Sequence, residues 1–175
     1  MNYCSECGEK VVLKIPEGDL VERSCCSKCG MIHYVNPKVI VGSLIWKEDK
    51  ILLAKRAIPP RENFWTIPAG FLELKESVEN GAQREVVEEV NAEIKIERLF
   101  AVISIVHISQ VYILYLSRLE NENFFPGEES LEAKLFSENE IPWDEIAFDS
   151  IKKTIKYYFE NRKSIEKCDV LQMTI

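Results

Sequence analysis

The chain has 175 residues, of which 46% are hydrophobic and 29% charged, and this suits one globular domain with a small appendage. Lys plus Arg number 22 and Asp plus Glu number 29, so the formal net charge is −7. This balance argues against nucleic acid as a partner, but a bound metal can still attract a small phosphorylated ligand. No apolar run approaches the ~20 residues that cross a bilayer and no secretory signal is visible, so we expect a cytoplasmic protein without a membrane partner.

Two Cys-x-x-Cys pairs mark the first part of the chain. Cys4 and Cys7 form one pair, Cys26 and Cys29 form the other, and 18 residues separate them. This spacing predicts a Cys4 zinc ribbon over residues 1–35. Four thiolates leave no coordination position open, so the Zn²⁺ would be structural, and a redox-active pair is the alternative.

The next region predicts strands and one helix. Strands are expected at 39–46 and 51–56, joined by a polar turn, with a short strand at 64–67. A helix is expected over 77–90, because Ser77 is a suitable N-cap and apolar residues recur there every fourth position.

The remainder predicts three more strands and a second helix. Strands at 93–106 and 110–119 are expected to pair antiparallel, a short strand follows at 133–136, and a helix covers 149–162. The order β-β-β-α-β-β-β-α predicts an α+β fold with a mixed sheet and helices packed on it. The expected domains are the ribbon at 1–35, an α+β domain at 36–163 and a tail at 164–175, where no signal is interpretable.

Three glutamates on the first helix suggest a metal site. Glu85, Glu88 and Glu89 stand at positions i, i+3 and i+4, so they share one face of the helix. Carboxylates this close repel one another unless a cation joins them, and oxygen ligands favour Mg²⁺ or Mn²⁺. The alternative is an ordinary solvated acidic face.

The surrounding residues resemble the sequence motif of the Nudix hydrolases, the Nudix box. The positions that match its pattern are Gly70, Glu76, Arg84, Glu85, Val86, Glu88, Glu89 and Ala92. Asn91 stands where the family has glycine, and asparagine is the next-best residue for a left-handed helix cap.

This resemblance implies a Nudix fold, an α/β/α sandwich, and assigns roles to the residues of the box. Glu85, Glu88 and Glu89, with the carbonyl of Gly70, would hold the catalytic metal. Glu76 would pair with Arg84, and water would attack one phosphorus of a diphosphate. The proton of this water would pass to a glutamate of a later loop, for which the candidates are Glu128, Glu129 and Glu132, or to a box residue such as Glu85.

The chain further resembles the zinc-ribbon subset of Nudix hydrolases that includes FAD and ADP-ribose pyrophosphatases. The resemblance implies a small nucleotide as substrate, with FAD or ADP-ribose as leading candidates and AMP as a product. Arg56, Phe64 and Trp65 are the expected substrate contacts, through phosphate or by stacking. A homodimer stays an open alternative to a monomer.

Three other functions stay open. An NADH pyrophosphatase is one, although its Ser-Gln-Pro-Trp-Pro-Phe-Pro motif is missing from residues 101–110. A non-catalytic nucleotide sensor is another, and it would be expected to have lost glutamates of the box. A zinc-ribbon adaptor for RNA or protein is the third, and the acidic balance disfavours it.

Overall fold

The computed structural model describes all 175 residues as two compact units, Met1–Asn36 and Pro37–Ile175. The N-terminal unit has three short strands, β1 (Val11–Lys14), β2 (Arg23–Cys26) and β3 (Ile32–His33), in an antiparallel sheet with β2 in the middle. Its buried apolar side chains are those of Cys4, Pro16, Cys25 and Cys26, whereas residues such as Leu20 are exposed. This unit therefore has almost no apolar core of its own.

The second unit contains one mixed sheet and two α-helices. Its strands are β4 (Lys38–Lys47), β5 (Lys50–Arg56), β6 (Trp65–Thr66), β7 (Ala69–Phe71), β8 (Ile94–Ile105), β9 (Gln110–Leu119), β10 (Ser130–Ser137) and β11 (Leu171–Thr174). Its α-helices are α1 (Val78–Val90) and α2 (Asp149–Asn161). Short 3-10 helices cover Val106–Ile108, Glu138–Glu140, Trp143–Glu145 and Arg162–Lys167. None of the helices is long and apolar enough to cross a membrane.

Strand β4 lies at the centre of this sheet. The sheet order is β10-β5-β4-β9-β8-β11, with β6 beside β5 and β7 beside β4. Strand β4 pairs parallel with β9 and antiparallel with β5 and β7, and β8 pairs antiparallel with β9. The sheet is therefore mixed, and β7 brings the start of the Nudix box directly beside β4.

The alternation of side chains along the strands assigns the two helices to opposite faces of the sheet. Ile45 and Leu52 pack with the apolar side of α1. Their neighbours Leu44 and Ile51 belong to the cluster that contains the apolar residues of α2. The arrangement is a three-layer α/β/α sandwich, so the predicted fold class is confirmed.

The first helix begins and ends as the sequence indicates. Ser77 is its N-cap and accepts a hydrogen bond from the amide of Asn80 at 3.1 Å. Asn91 is its C-cap in the left-handed conformation, with φ of 48°, and its amide donates to Val87 O at 3.0 Å. Asparagine therefore fills the capping role that glycine has in the family pattern.

The last dozen residues differ from the expectation of a tail. A 3-10 helix ends there at Lys167, and β11 then pairs parallel with β8 from Leu171↔Ala101 to Thr174↔Ser104. Arg98 of β8 supports this segment, because its guanidinium donates to Ile165 O and Cys168 O at 2.8 Å each. A parallel edge strand of four residues has no turn signal beside its partner, so the sequence alone did not reveal it.

Candidate active site

Helix α1 directs two of its glutamates into a cleft of the second unit. Ala82, Val86 and Val90 are fully buried against the sheet. Glu85 and Glu89, on the adjacent arc of the helix, are each only 8% exposed, whereas Glu88 is exposed. All three line the cleft, so the predicted glutamate patch faces a cavity.

Arg84 connects this patch to the preceding loop. Its guanidinium donates to Glu76 at 2.7 and 3.1 Å, to Glu85 at 2.7 Å and to Glu88 at 3.0 Å. It also donates to the carbonyl of Phe71 at 3.0 Å, and Glu76 accepts from the amide of Glu73 at 2.6 Å. The charge of Arg84 lowers the pKa of Glu76. The expected Glu76–Arg84 pair is present, and it holds the 71–76 loop on the helix.

The backbone of Gly70 passes directly against the carboxylate of Glu85. A Cβ atom at position 70 would overlap both oxygens of Glu85. A larger residue at this position would displace the carboxylate of Glu85, so glycine here lets that carboxylate keep its place beside β7. The structure therefore brings Gly70 and Glu85 together, as a shared metal site would require.

The buried glutamates of the cleft have raised pKa values, because the positive charge near them does not offset their burial. Burial, with a smaller contribution from the neighbouring Glu85, raises the pKa of Glu89 to about 8, against the opposing effect of Arg56. Burial also raises the pKa of Glu85, although Arg84 opposes the shift. Buried carboxylates with raised pKa values favour a bound proton or a cation, and their oxygen atoms suit Mg²⁺ or Mn²⁺. The donor set fits such an ion.

Of the three loop acids, the structure favours Glu129. Glu128 and Glu129 line the cleft, and the charge of Glu129 raises the pKa values of both Glu85 and Glu89. Glu132 lies on β10 outside the lining, where it forms an ion pair of 2.9 Å with Lys55. The suggestion that Glu132 takes part in catalysis is therefore corrected: its side chain is directed away from the cleft.

The cleft has a volume of about 850 Å³, in the range of small-molecule sites. The acids and Arg84 form one part of its wall. Apolar and aromatic residues form another, and they include Ile40, Ile58, Phe71, Ile105, Ile108, Tyr112, Ala147, Phe148, Ile151 and Ile175. The cleft therefore offers an anionic, metal-suited wall and an apolar wall to one ligand.

Arg56 is held at the cleft by its own loop. Its guanidinium donates to Pro60 O at 2.8 Å and lies 5.5 Å from the centre of the Phe148 ring. Its charge lowers the pKa of Glu89, so it acts on the same part of the cleft as the buried acids. Arg56 therefore lines the cleft near the buried acids, and its contact with phosphate stays a prediction.

The two aromatic residues expected to stack on substrate do not line the cleft. Trp65 is 5% exposed and packs edge-on against Phe136 at 4.9 Å, inside the core. Phe64 lies under the guanidinium of Arg61 at 5.5 Å, outside the lining. Their neighbour Thr66 lines the cleft instead. The expectation for Phe64 and Trp65 is corrected, because the alternation along β6 turns Trp65 to the core.

The sequence assigned no binding role to Phe148 and Ile175. Phe148 precedes α2, a position that gave no signal, and Ile175 reaches the cleft through β11. Tyr112 of β9 also lines the cleft.

The four paired cysteines of the N-terminal unit converge. Cys4 Sγ lies 3.6 Å from Cys29 Sγ, Cys7 Sγ lies 3.5 Å from Cys26 Sγ, and all four sulfurs lie within 4.8 Å of one another. Sulfurs bound at 2.3 Å around one zinc ion would be about 3.8 Å apart, so the set fits Zn²⁺. The backbone amide of Cys29 lowers the pKa of Cys26 to about 6, which favours the thiolate that a metal needs.

The turns after both cysteine pairs need glycine. Gly8 and Gly30 have φ angles of 71° and 77°, in the left-handed region. Their amides donate to Cys4 O at 3.0 Å and Cys26 O at 3.2 Å. These tight turns bring the sulfurs of each pair together.

Comparisons with known proteins agree with this geometry. The chain matches the family model of the NUDIX domain over residues 36–158 and that of the Nudix N-terminal region over residues 2–35. The crystal structure of a NUDIX hydrolase from Nitrosomonas europaea is similar with a TM-score of 0.94 and 50% identity, over 100% of this chain and 99% of that one. The chain therefore belongs to the Nudix family, and it is an enzyme of the pyrophosphohydrolase class.

Two curated relatives have names that specify substrates. One is the ADP-ribose pyrophosphatase of Methanocaldococcus jannaschii, which is 33% identical over 131 residues, covering 71% of this chain and 75% of that protein. The other is the NAD-capped RNA hydrolase NudC of Photobacterium profundum, 33% identical over 134 residues, covering 74% of this chain. This chain spans only 47% of that second relative.

Proposed function

We propose that this chain hydrolyses, with Mg²⁺ or Mn²⁺, the diphosphate linkage of a nucleoside diphosphate joined to a second group, with ADP-ribose or FAD as substrate and AMP as one product. The observation that carries the proposal is that the three box glutamates and the apolar wall with Tyr112 and Phe148 line one cleft of about 850 Å³. A metal held by the glutamates would bind the diphosphate, and the apolar wall suits a base or flavin ring.

In this proposal Glu85, Glu88 and Glu89, with the backbone of Gly70, hold the catalytic metal. When bound, the metal supplies charge neutralisation at the phosphate oxygens and makes a water molecule more acidic. Arg84 keeps Glu85 and Glu88 oriented through hydrogen bonds of 2.7 and 3.0 Å. Arg56, which is fixed by Pro60 O, contributes positive charge for the diphosphate at the same wall.

Glu129 is the proposed general base. Its carboxylate is near enough to raise the pKa values of Glu85 and Glu89, and it lines the cleft. It is exposed to solvent, so it can accept a proton from water and release it after each turnover. A group in this role contributes about 10²–10⁴-fold to the rate.

ADP-ribose is the first substrate to test, because the Methanocaldococcus jannaschii relative that carries its name aligns with 71% of this chain. FAD follows, because aromatic rings line the cleft, among them those of Phe71, Tyr112 and Phe148. A second candidate is NADH or another NAD-linked diphosphate, and the relatives named NAD-capped RNA hydrolase favour it.

A substrate panel tests the proposal directly. The purified chain is incubated with Mg²⁺ or Mn²⁺ and ADP-ribose, FAD, NADH, nucleotide sugars and nucleoside triphosphates, and products are separated by chromatography. Water labelled with oxygen-18 shows which product gains the oxygen. We expect AMP from ADP-ribose or FAD. Binding without turnover of any compound would instead identify a sensor.

Glu89→Gln provides the decisive variant. It removes a buried carboxylate from the metal site and should lower kcat by about 10³-fold, a loss typical of removing one major electrostatic contribution to the transition state. The matched control is Glu79→Gln, which changes an exposed glutamate on the first turn of the same helix, outside the cleft. Equal turnover by both variants would refute the assignment of the metal site.

A further inference from the structure

The loop between β9 and β10 is fastened to the C-terminal end of α1. The amide of Phe125 donates to Val90 O at 3.0 Å, and the amide of Gly127 donates to Glu89 O at 2.8 Å. The last carbonyls of a helix have no partner within the helix, so an approaching loop can satisfy them. The loop that carries Glu129 is thus hydrogen-bonded to the backbone of a glutamate in the metal site.

Gly127 allows this close approach. A Cβ atom at position 127 would overlap the carbonyl oxygen of Glu88 and would lie 2.9 Å from its carbonyl carbon and 3.3 Å from that of Glu89. These are backbone atoms of a helix, which cannot rotate aside as a side chain can. Any larger residue at position 127 must therefore move the loop away from α1.

Asn91 adds a third connection, through its side chain. It caps the helix with φ of 48°, and its side-chain amide donates to Phe125 O at 3.2 Å. The glycine of the family pattern can adopt the same φ but has no side chain to donate. The departure from the box at position 91 therefore fastens the loop as well as ending the helix.

The backbone around Glu129 makes two further hydrogen bonds. The amide of Ala57 donates to Glu129 O at 2.9 Å, and the amide of Ser130 donates to Gly127 O at 3.1 Å. The backbone on both sides of Glu129 is thus tied to neighbouring elements. The backbone position of Glu129 is therefore fixed at the edge of the cleft that it lines together with Glu85, Glu88 and Glu89.

We infer that Asn91 and Gly127 are positioning residues that set the distance between Glu129 and the metal-binding glutamates of α1. The inference rests on the proposed function, because it gives these two residues a purpose only if Glu129 acts in hydrolysis. Displacing a catalytic group by about 1 Å can cost up to ~10²-fold in rate. Both residues should therefore affect kcat far more than KM.

A double-mutant cycle separates positioning from simple stability. Asn91→Gly keeps the left-handed cap and removes only the side-chain bond, and Gly127→Ala displaces the loop. Each is combined with Glu129→Gln. The matched control is Asn121→Ala, which removes a 2.7 Å hydrogen bond to Glu93 and a 2.9 Å hydrogen bond from the amide of Asn123 in the same connection without touching the end of α1.

Both single variants should lower kcat about tenfold and leave KM within about twofold, as expected for a misplaced catalytic group. In the Glu129→Gln background the same changes should alter kcat less than about twofold, because the group they position is gone. Asn121→Ala should match the wild type. Unfolding midpoints identify any variant that loses activity only because it is less stable. If Gly127→Ala does not fold, the cycle with Asn91→Gly still tests the inference.

The possible outcomes distinguish the two proposals. If the wild type hydrolyses ADP-ribose or FAD, the proposed function stands. If the Asn91 and Gly127 substitutions then lower kcat by the same factor in the presence and in the absence of Glu129, the inference is wrong. Unchanged kcat in both single variants would also overturn the inference. A wild type that hydrolyses no compound of the panel refutes the proposed function itself.

Discussion

The four sulfurs of the N-terminal unit and the carboxylates on α1 both gather negative groups that need a cation, but they do so differently. The sulfurs lie within 4.8 Å of one another and complete a tetrahedral set by themselves. The carboxylates of Glu85, Glu88 and Glu89 do not converge as tightly, because Arg84 holds one oxygen each of Glu85 and Glu88. The first set is closed to other ligands, whereas the second leaves room for a substrate.

The surroundings of the two sites differ in the same sense. The sulfur cluster belongs to a unit of 36 residues in which cysteines supply most of the buried apolar side chains. The carboxylates belong to a sheet with a large core that includes Leu44, Phe100 and Ile155, all fully buried. A metal should therefore be necessary for the fold in the first unit and only for chemistry in the second.

The largest expected effect tests this contrast at the cysteines. Cys26→Ser should abolish zinc binding and unfold the N-terminal unit, because structural zinc contributes about 10–16 kcal/mol in small zinc domains. The measurements are zinc content per chain and the NMR chemical-shift dispersion of residues 1–36. Cys25→Ser, next to it but outside the cluster, should retain one zinc. If residues 1–36 kept native chemical-shift dispersion in the metal-free chain, the N-terminal unit would fold without zinc, and the contrast between the two sites would be wrong.

The sequence predicted those parts of both sites that depend on local spacing. The Cys-x-x-Cys pairs with their glycines, the i, i+3, i+4 glutamates and the Ser77 cap each lie within one turn or one helix. Such patterns specify geometry without knowledge of the rest of the fold. The fold class followed from the order of the elements for the same reason.

The sequence did not predict contacts that depend on the tertiary structure. Trp65 faces the core because of the register of β6 with β5, and Lys55 turns Glu132 away from the cleft. Strand β11 brings Ile175 to the cleft through pairing with β8. Asn91 could be recognised as a cap, but its bond to Phe125 spans 34 residues. None of these partners is implied by spacing along the chain.

The second prediction concerns pH and the metal-free carboxylates. Burial raises the pKa of Glu89 from its ordinary value of 4.5 to about 8, so between these pH values the folded chain binds the proton that the unfolded chain has released. This contribution to stability is complete below pH 4.5 and is lost as pH rises through about 8, by at most about 1.4 kcal/mol per pH unit.

Thermal unfolding in magnesium-free buffer between pH 5 and 8 measures this loss. Mg²⁺ should reduce the fall, because it replaces the proton at the carboxylates. The uncharged side chain of Glu89→Gln should remove the part of the fall that Glu89 causes and leave only the part that comes from Glu85. A wild-type unfolding midpoint that is flat over this range, or that rises, would contradict the assignment of Glu89 as the cation-demanding acid.

The third prediction concerns Arg84, the positively charged side chain that the carboxylate site has and the sulfur cluster lacks. Arg84→Lys should lower the free energy of unfolding by about 1–3 kcal/mol, because an ammonium group cannot make the planar set of bonds to Glu76, Glu85 and Phe71 O. Denaturant unfolding measures this loss. Arg118→Lys is the control, since Arg118 makes a single exposed ion pair at 2.9 Å. Losses of similar size in the two variants would show that Arg84 does not bind the acids together.

The smallest expected effect concerns the acid that the structure removes from the site. Glu132→Gln should leave kcat within about twofold, because its side chain pairs with Lys55 and does not line the cleft. Its ion pair is half-exposed, so the free energy of unfolding should fall by less than about 1 kcal/mol. Glu129→Gln, three residues earlier, should lower kcat by about 10²-fold or more under the same conditions. If the two variants lost activity equally, proximity to the α1 carboxylates would not identify the base, and the loop would have to rearrange when substrate binds.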